Sequence, residues 1–244
     1  MDYRSWVVGA LFLGSATILS AQLVEKRGSP DRAQAVREAA WTRKFGSHRR
    51  MIESSEQLDL CFVGDSLTEF WAGAGKPIWD LEFQFHKAAN LGIAADRTEH
   101  ILYRIQRTDF SKAKPKRFVL LARTNNLGAS PPDSPRATTK GIKAVLAALR
   151  NRSPESEIVL VSILPSGNDP NSELRKRIIE TNAALAEFAA AEDHITFANV
   201  HNLFLEESGR WKRGLTIDGT HLTMSGYDVL GRALATHFKA QPTK

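Results

Sequence analysis

The chain has 244 residues, of which 42% are hydrophobic and 25% are charged, as in an ordinary globular protein with one sizeable core. Cys61 is the only cysteine, which excludes an intrachain disulfide, a thiolate zinc cluster and a Cys-x-x-Cys redox pair. The formal net charge is +6, and residues 25–50 carry most of it, because their eight basic and three acidic side chains sum to +5.

The first 24 residues have the pattern of a signal peptide or membrane anchor. Residues 6–24 form an apolar run interrupted only by small or weakly polar residues and Gln22, and the run is about long enough to span a bilayer once. The sequence leaves open whether this segment is cleaved. Either interpretation predicts a protein that is extracytoplasmic, secreted or periplasmic, or anchored to a membrane; a buried N-terminal helix is the alternative.

Residues 25–57 are predicted to form a basic linker or helix. Beside an apolar segment, such a stretch can lie in solvent or contact anionic lipid headgroups. Nucleic-acid binding would instead require basic residues across a folded face together with a recognisable motif. No nucleic-acid partner is therefore predicted.

Residues 58–240 are predicted to form one α/β domain. Short apolar segments between turn signals indicate five buried strands, at residues 58–63, 87–91, 118–122, 158–164 and 195–200. Helical periods separate most of them: one helix begins at a capping-box-like Asp96 and Glu99, and others cover residues 142–149, 174–188 and 223–238. This alternation predicts a three-layer, flavodoxin-like sheet of about five parallel strands with helices on both faces.

The end of the first predicted strand carries a candidate nucleophile. Gly64-Asp65-Ser66 stands at a strand-to-helix turn, and ligands of such sheets bind beyond the carboxyl ends of the strands. The following helix presents its amides and positive dipole end there. Alone the motif is weak, because Gly-Asp-Ser is also a common turn or helix-cap sequence.

A serine hydroxyl needs a base, and the base needs a carboxylate to fix its tautomer. Of the seven histidines, only His221 follows an aspartate at Asp-x-x-His spacing, in Asp218-Gly219-Thr220-His221, just before the last helix. Asp193 and His194 are adjacent and tend to diverge in direction. Ser66, His221 and Asp218 are therefore the predicted catalytic residues.

Acyl transfer also requires donors for the developing oxyanion. The loop after the second strand places the Ala95 amide toward the crevice, and the loop after the third strand carries Asn125. With the Ser66 amide, these groups form the predicted oxyanion hole.

These blocks, in this order, resemble the SGNH or GDSL hydrolase family. The matching segments are Gly64-Asp65-Ser66, the turn at Gly92, Thr124-Asn125-Asn126-Leu127-Gly128 and Asp218-Gly219-Thr220-His221. Ile163-Leu164-Pro165 and Asn125-Asn126-Leu127-Gly128 look most like the platelet-activating-factor acetylhydrolase-type branch. The resemblance implies a flavodoxin-like fold, ester hydrolysis without cofactor or metal, and short acyl groups, above all acetyl.

Two positions depart from the family pattern, since Ala95 and Arg123 each stand where the family has glycine. Alanine retains an amide, so Ala95 can donate if its φ is negative. Arg123 is placed in the substrate pocket, where it can stabilise an anion, select an acidic substrate or fill the acyl pocket. Pointing to solvent is the remaining alternative.

Some other residues have simpler interpretations. Trp71 and Trp79 are predicted to pack in the core rather than wall a pocket, and Cys61 is predicted to be a small buried hydrophobe. Asp65 can cap the helix after Ser66. Gly167-Asn168-Asp169 is predicted to be a substrate-side loop or a simple turn.

The sequence thus predicts a serine esterase that acts on short-chain acyl esters of carbohydrate or lipid. The alternative is a non-catalytic binding protein of the same fold whose pocket is altered by Arg123. The sequence makes no prediction of the oligomeric state.

Overall fold

A computed structural model describes residues 29–36, 38–122 and 125–238. Its centre is a five-stranded parallel sheet in the order β2-β1-β3-β4-β5. The strands are β1 (Leu60–Gly64), β2 (Ala88–Gly92), β3 (Arg117–Leu121), β4 (Glu157–Val161) and β5 (Ile195–Ala198). The predicted α/β class and flavodoxin-like sheet are confirmed.

Seven α-helices in the described ranges surround the sheet. They are α1 (Ala39–Ser54), α2 (Ser66–Glu69), α3 (Lys76–Phe83), α4 (Thr98–Gln106), α5 (Pro135–Arg152), α6 (Glu173–Ala190) and α7 (Met224–Ala235). One core lies between the sheet and α4, α5 and α6. A second core lies between the opposite face and α2, α3 and α7. Because both faces are covered, β1 is buried at every position.

The fourth strand is shorter than its apolar run predicted. It ends at Val161, and Ser162 then accepts hydrogen bonds through Oγ from the backbone amides of Val200 (3.0 Å) and His201 (3.1 Å). The Ser162 amide still donates to the Ala198 carbonyl at 3.0 Å, and residues 162–164 remain buried beyond the end of the strand. An apolar run indicates which residues are buried and not where strand pairing ends, so the predicted strand was too long by three residues.

The predicted capping box at Asp96 and Glu99 is wrong. Helix α4 begins at Thr98, and His100 Nδ1 accepts the backbone amide of Arg97 at 3.2 Å. Asp96 is instead buried, where its carboxylate accepts from Trp41 Nε1 (2.6 Å) and Arg104 Nε (2.8 Å). The Trp41 indole, 55 residues away, and the buried Arg104 cation, 8 residues away, take the Asp96 carboxylate from local capping, and local spacing cannot reveal these partners.

Two glycines allow α2 to approach the strand ends. A Cβ on Gly64 would lie 2.3 Å from the carbonyl oxygen of Leu121, and a Cβ on Gly92 would lie 2.1 Å from the backbone nitrogen of Glu69. Any side chain would therefore push α2 and the neighbouring strand ends apart. The glycine before Asp65 and the glycine that ends β2 are required by packing at the edge where the site lies.

The described residues before α1 pack against the body of the domain. The carbonyl oxygen of Pro30 accepts from Thr98 Oγ1 at 2.9 Å, and the Gln34 amide donates to the Glu99 carbonyl at 3.0 Å. The predicted signal peptide or anchor, residues 1–24, lies outside the described residues. Within the ranges that are described, no helix combines the length and apolarity needed to cross a bilayer.

Two histidines, the half-buried His48 and the buried His100, make the stability of the fold depend on pH. Burial, reinforced by nearby cations, lowers the pKa of both His48 and His100 to about 4. The unfolded chain therefore binds more protons than the folded one between pH 6.5 and 4, so stability is present above pH 6.5 and is lost as the pH falls through this window.

We expect the free energy of unfolding to drop by about 1–3 kcal/mol between pH 7 and pH 5, after allowing for the partial contact of these rings with water. Urea unfolding at both pH values measures it. The double variant His48→Gln/His100→Gln should lose a measurable part of this dependence, the rest coming from His201 and His237, whose pKa burial also lowers. An unchanged dependence in that variant would rule out the two histidines as a source.

Candidate active site

Ser66 occupies the predicted strand-to-helix turn. It is the first residue of α2, directly beyond β1, and only 4% of it is exposed. Asp65 precedes the helix and accepts the Leu67 amide through Oδ1 at 3.1 Å, so the capping role considered for Asp65 is confirmed. The turn fixes the Ser66 side chain at the carboxyl edge of the sheet.

His221 and Asp218 meet Ser66 from the other end of the chain. His221 Nε2 lies 3.3 Å from Ser66 Oγ, and His221 Nδ1 lies 2.6 Å from Asp218 Oδ2. Asp218 Oδ1 also accepts the backbone amides of His221 (2.7 Å) and Thr220 (2.9 Å). The three predicted residues, 155 positions apart at the extremes, form one chain of hydrogen-bonding contacts.

The contacts of Asp218 determine which nitrogen of the His221 ring carries the proton. Burial raises the pKa of Asp218, but the hydrogen bonds from the His221 side chain and backbone outweigh it and hold the pKa below its ordinary value. An ionised Asp218 can only accept, so Nδ1 carries the proton of the neutral imidazole. Nε2 then presents its lone pair to the Ser66 hydroxyl, which is the arrangement that a general base requires.

The predicted oxyanion donors belong to the segments that follow β1, β2 and β3, whose carboxyl ends share the edge of the sheet that Ser66 occupies. Asn125 Nδ2 donates to the Asp96 carbonyl at 2.8 Å, which ties the loop after β3 to the residue that follows Ala95. A primary amide has two hydrogens, so this bond leaves one for an acceptor in the crevice. The amide of Ala94 is engaged by Glu69 Oε2 at 2.5 Å, whereas Ala95 is exposed.

The sequence-based condition that Ala95 has negative φ is wrong. Its φ is +64°, in the left-handed region that glycine adopts without strain. The backbone thus keeps the conformation suited to the family's glycine, and alanine accepts it at a cost of about 1–2 kcal/mol. Relative to glycine, alanine adds only a methyl group at this position and keeps the backbone amide.

Ala95→Gly is expected to raise the free energy of unfolding by up to about 1 kcal/mol, because relief of the left-handed strain exceeds the extra freedom of glycine in the unfolded chain. Esterase kcat/KM should stay within about threefold of the parent, since the amide is retained. Ala94→Gly is the matched control, and it should lower stability by about 0.5–1 kcal/mol. Urea unfolding of both variants tests the opposite signs; loss of stability in Ala95→Gly would contradict the strain.

Sequence reasoning missed a buried arginine at the ends of β1 and β2, beside the predicted oxyanion loop. Arg104 pairs with Asp96 and donates through Nη1 to the Leu91 carbonyl (2.7 Å) and through Nη2 to the Gly64 carbonyl (3.1 Å). It thereby joins the ends of β1 and β2. A signal was available, because Arg104 lies three residues after Ile101 on the apolar face of α4, where a cation requires partners.

The other sequence predictions have mixed outcomes. Trp71 is 1% exposed and packs on Tyr227, and the Trp79 ring packs on Phe62, so both tryptophans are packing residues. Cys61 is fully buried as predicted, and burial raises the pKa of its thiol. Arg123, the predicted pocket residue, lies outside the described residues. Among those described, no cluster of three His, Cys, Asp or Glu side chains is arranged to hold a metal ion.

Comparison with known proteins identifies the class. The model of the GDSL-like lipase/acylhydrolase family matches residues 62–229, which include Ser66, Asn125, Asp218 and His221. The chain belongs to this family and is an ester hydrolase, as its sequence predicted.

Individual relatives agree with this assignment. The human platelet-activating factor acetylhydrolase IB subunit alpha1 is 29% identical over 189 residues, covering 77% of this chain and 79% of its own length. A GDSL-like lipase from Bacteroides thetaiotaomicron superposes with a TM-score of 0.68 at 19% identity, covering 80% of this chain and 97% of that one. A lipase/acylhydrolase from Enterococcus faecalis gives a TM-score of 0.61 at 16% identity, covering 78% and 100%. The resemblance to the acetylhydrolase branch is therefore confirmed.

Proposed function

We propose that this protein is a serine esterase that removes short acyl groups, above all acetyl, from carbohydrate or lipid esters through Ser66, His221 and Asp218. The observation that carries the proposal is the continuous contact from Asp218 Oδ2 through the His221 ring to Ser66 Oγ, at 2.6 and 3.3 Å. The preference for acetyl rests on the acetylhydrolase relatives and on the family resemblance.

The proposed reaction begins when His221 Nε2 takes the Ser66 proton and Oγ attacks the ester carbonyl carbon. The oxyanion that forms accepts from the backbone amides of Ser66 and Ala95 and from Asn125 Nδ2. Protonated His221, stabilised by ionised Asp218, then gives its proton to the departing alcohol oxygen. Water then attacks the acyl carbon while His221 Nε2 takes its proton, the bond from that carbon to Ser66 Oγ breaks, and His221 returns the proton to Oγ as the carboxylic acid leaves.

A panel of p-nitrophenyl esters from acetate to octanoate tests the acyl preference. Wild-type kcat/KM should be highest for acetate and should fall with chain length, and a maximum at octanoate would overturn the short-acyl proposal. Ser54→Ala removes an exposed serine hydroxyl in α1, remote from the predicted nucleophile, and should keep the wild-type rates and acyl preference. An acetylated oligosaccharide and an acetylated glycerophospholipid, assayed by acetate release, then distinguish the two substrate classes.

Arg123 remains the proposed pocket residue, and Arg123→Gly tests its role. A rise in kcat/KM supports obstruction of the acyl pocket, and a fall supports substrate or oxyanion binding. No change would mean that the side chain points away from the crevice. The alternative of a non-catalytic binding protein would require wild-type protein that hydrolyses no ester in the panel.

We also propose an extracytoplasmic or membrane-anchored location, on the basis of the apolar residues 6–24 and the neighbouring basic stretch. Fractionation of cells that express the full chain tests it. Protein confined to the cytoplasmic fraction would overturn it.

A further inference from the structure

A second buried arginine lies near the acid–base side of the site. Arg175, in the first turn of α6, is 2% exposed. Its Nε donates to the Ser166 carbonyl (2.9 Å), its Nη2 to the Gly167 carbonyl (3.0 Å) and its Nη1 to the Gly209 carbonyl (3.0 Å). In the part of the chain that is described, no carboxylate lies within salt-bridge distance of this guanidinium.

The segment that Arg175 holds is bonded to the loop of the catalytic acid and base. The Gly167 amide donates to the Gly219 carbonyl at 2.8 Å, and Ser166 Oγ lies 3.1 Å from Thr220 Oγ1. Gly219 and Thr220 are the two residues between Asp218 and His221. A Cβ on Gly219 would lie 2.5 Å from Asn168 Oδ1, so the two loops are in close contact.

We propose that Arg175 is a positioning residue for the Asp218–His221 pair, acting through residues 166–168. This inference rests on the proposed catalytic roles of that pair. Asp218 and His221 are 49% and 30% exposed in their side chains, so packing around them is incomplete. Their loop needs an external support, and the loop held by Arg175 supplies two direct hydrogen bonds to it.

The chemistry of the arginine explains why this position needs a guanidinium. Three carbonyls from two separate loops converge on one side chain, and a planar fork with five N–H donors can satisfy all of them at fixed angles. A lysine has a compact ammonium group that cannot reach all three carbonyls in the same geometry. Asp169 acts on this guanidinium only from beyond salt-bridge distance, so the three carbonyl contacts must offset most of the cost of burying the charge.

The test is a double-mutant cycle in the full-length protein. Arg175→Lys is expected to lower kcat for p-nitrophenyl acetate about 10- to 50-fold while KM changes less than about twofold, because substrate contacts are untouched. In an Asp218→Asn background the same substitution should cost less than about threefold, since the pair that it positions is already disabled. Arg177→Lys, on the same helix and partly exposed, is the matched control and should leave kcat unchanged.

A folded Arg175→Lys protein with wild-type kcat would overturn the inference. So would an equal loss in both backgrounds, which would show a general structural effect. If Arg175→Lys does not fold, Ser166→Ala removes only the contact to Thr220 and should lower kcat about 3- to 10-fold with the same non-additivity. The proposed function fails separately, if wild-type protein neither turns over esters nor reacts with a fluorophosphonate.

Discussion

Replacing His221 with glutamine is expected to lower kcat/KM for p-nitrophenyl acetate by about a thousandfold or more. Glutamine retains a hydrogen-bonding group of similar reach but cannot take the Ser66 proton at neutral pH, so general-base assistance is lost from both acylation and deacylation. The fold should survive, because the His221 side chain is 30% exposed and belongs to neither hydrophobic core.

Steady-state kinetics with a circular-dichroism check of folding measure this effect. His194→Gln is the matched control. His194 is half-buried, and its carbonyl accepts the Ile158 amide at the amino end of β4, which is the edge of the sheet opposite to Ser66. It should keep wild-type rates. Activity within about threefold of wild type in folded His221→Gln would refute the assignment of the base.

Asp218→Asn is expected to lower kcat by about 10²- to 10⁴-fold. Asp218 accepts two backbone amides through one oxygen and the His221 ring through the other. In asparagine the oxygen can keep the two amides, which leaves Nδ2 facing His221 Nδ1. Nδ1 must then accept, the ring proton moves to Nε2, and the lone pair that Ser66 needs is gone.

Asp218→Glu separates charge from tautomer. It keeps an ionised acceptor at a displaced position, so its loss should be smaller than that of the asparagine variant. Asp228→Asn, which removes the surface partner of Arg232 on α7, is the control for loss of one carboxylate. Equal kcat in wild type and Asp218→Asn would mean that the aspartate does not orient the base.

Much of this site could be predicted from sequence because its residues lie in the turns between strands and helices. Gly64-Asp65-Ser66 ends a buried strand, and the Asp218–His221 spacing precedes a helix, so parallel topology alone brings them to one edge. The loops after the second and third strands supplied Ala95 and Asn125 by the same argument, and the family resemblance then supported both. The geometry then supplied the contact distances.

The burial of Arg104 could be predicted from its place on the apolar face of α4, but the partners of Arg104 and Arg175 could not. Arg104 and Arg175 each act through backbone carbonyls of residues distant in sequence, and carbonyls are present at every position, so no sequence pattern marks the partners. The left-handed backbone at Ala95 was missed for a related reason. Alanine gives no local signal for positive φ, whereas glycine would have done so.

The most direct test of the account is the reaction of the folded wild-type protein with a fluorophosphonate, followed by peptide mass mapping. We expect one covalent adduct, on Ser66, because phosphonylation requires a serine hydroxyl that a base can deprotonate beside oxyanion donors. Labelling should be absent in Ser66→Ala and much slower in His221→Gln. Folded wild-type protein that stays unlabelled, or that carries the adduct on another residue while Ser66 is unmodified, would contradict the account.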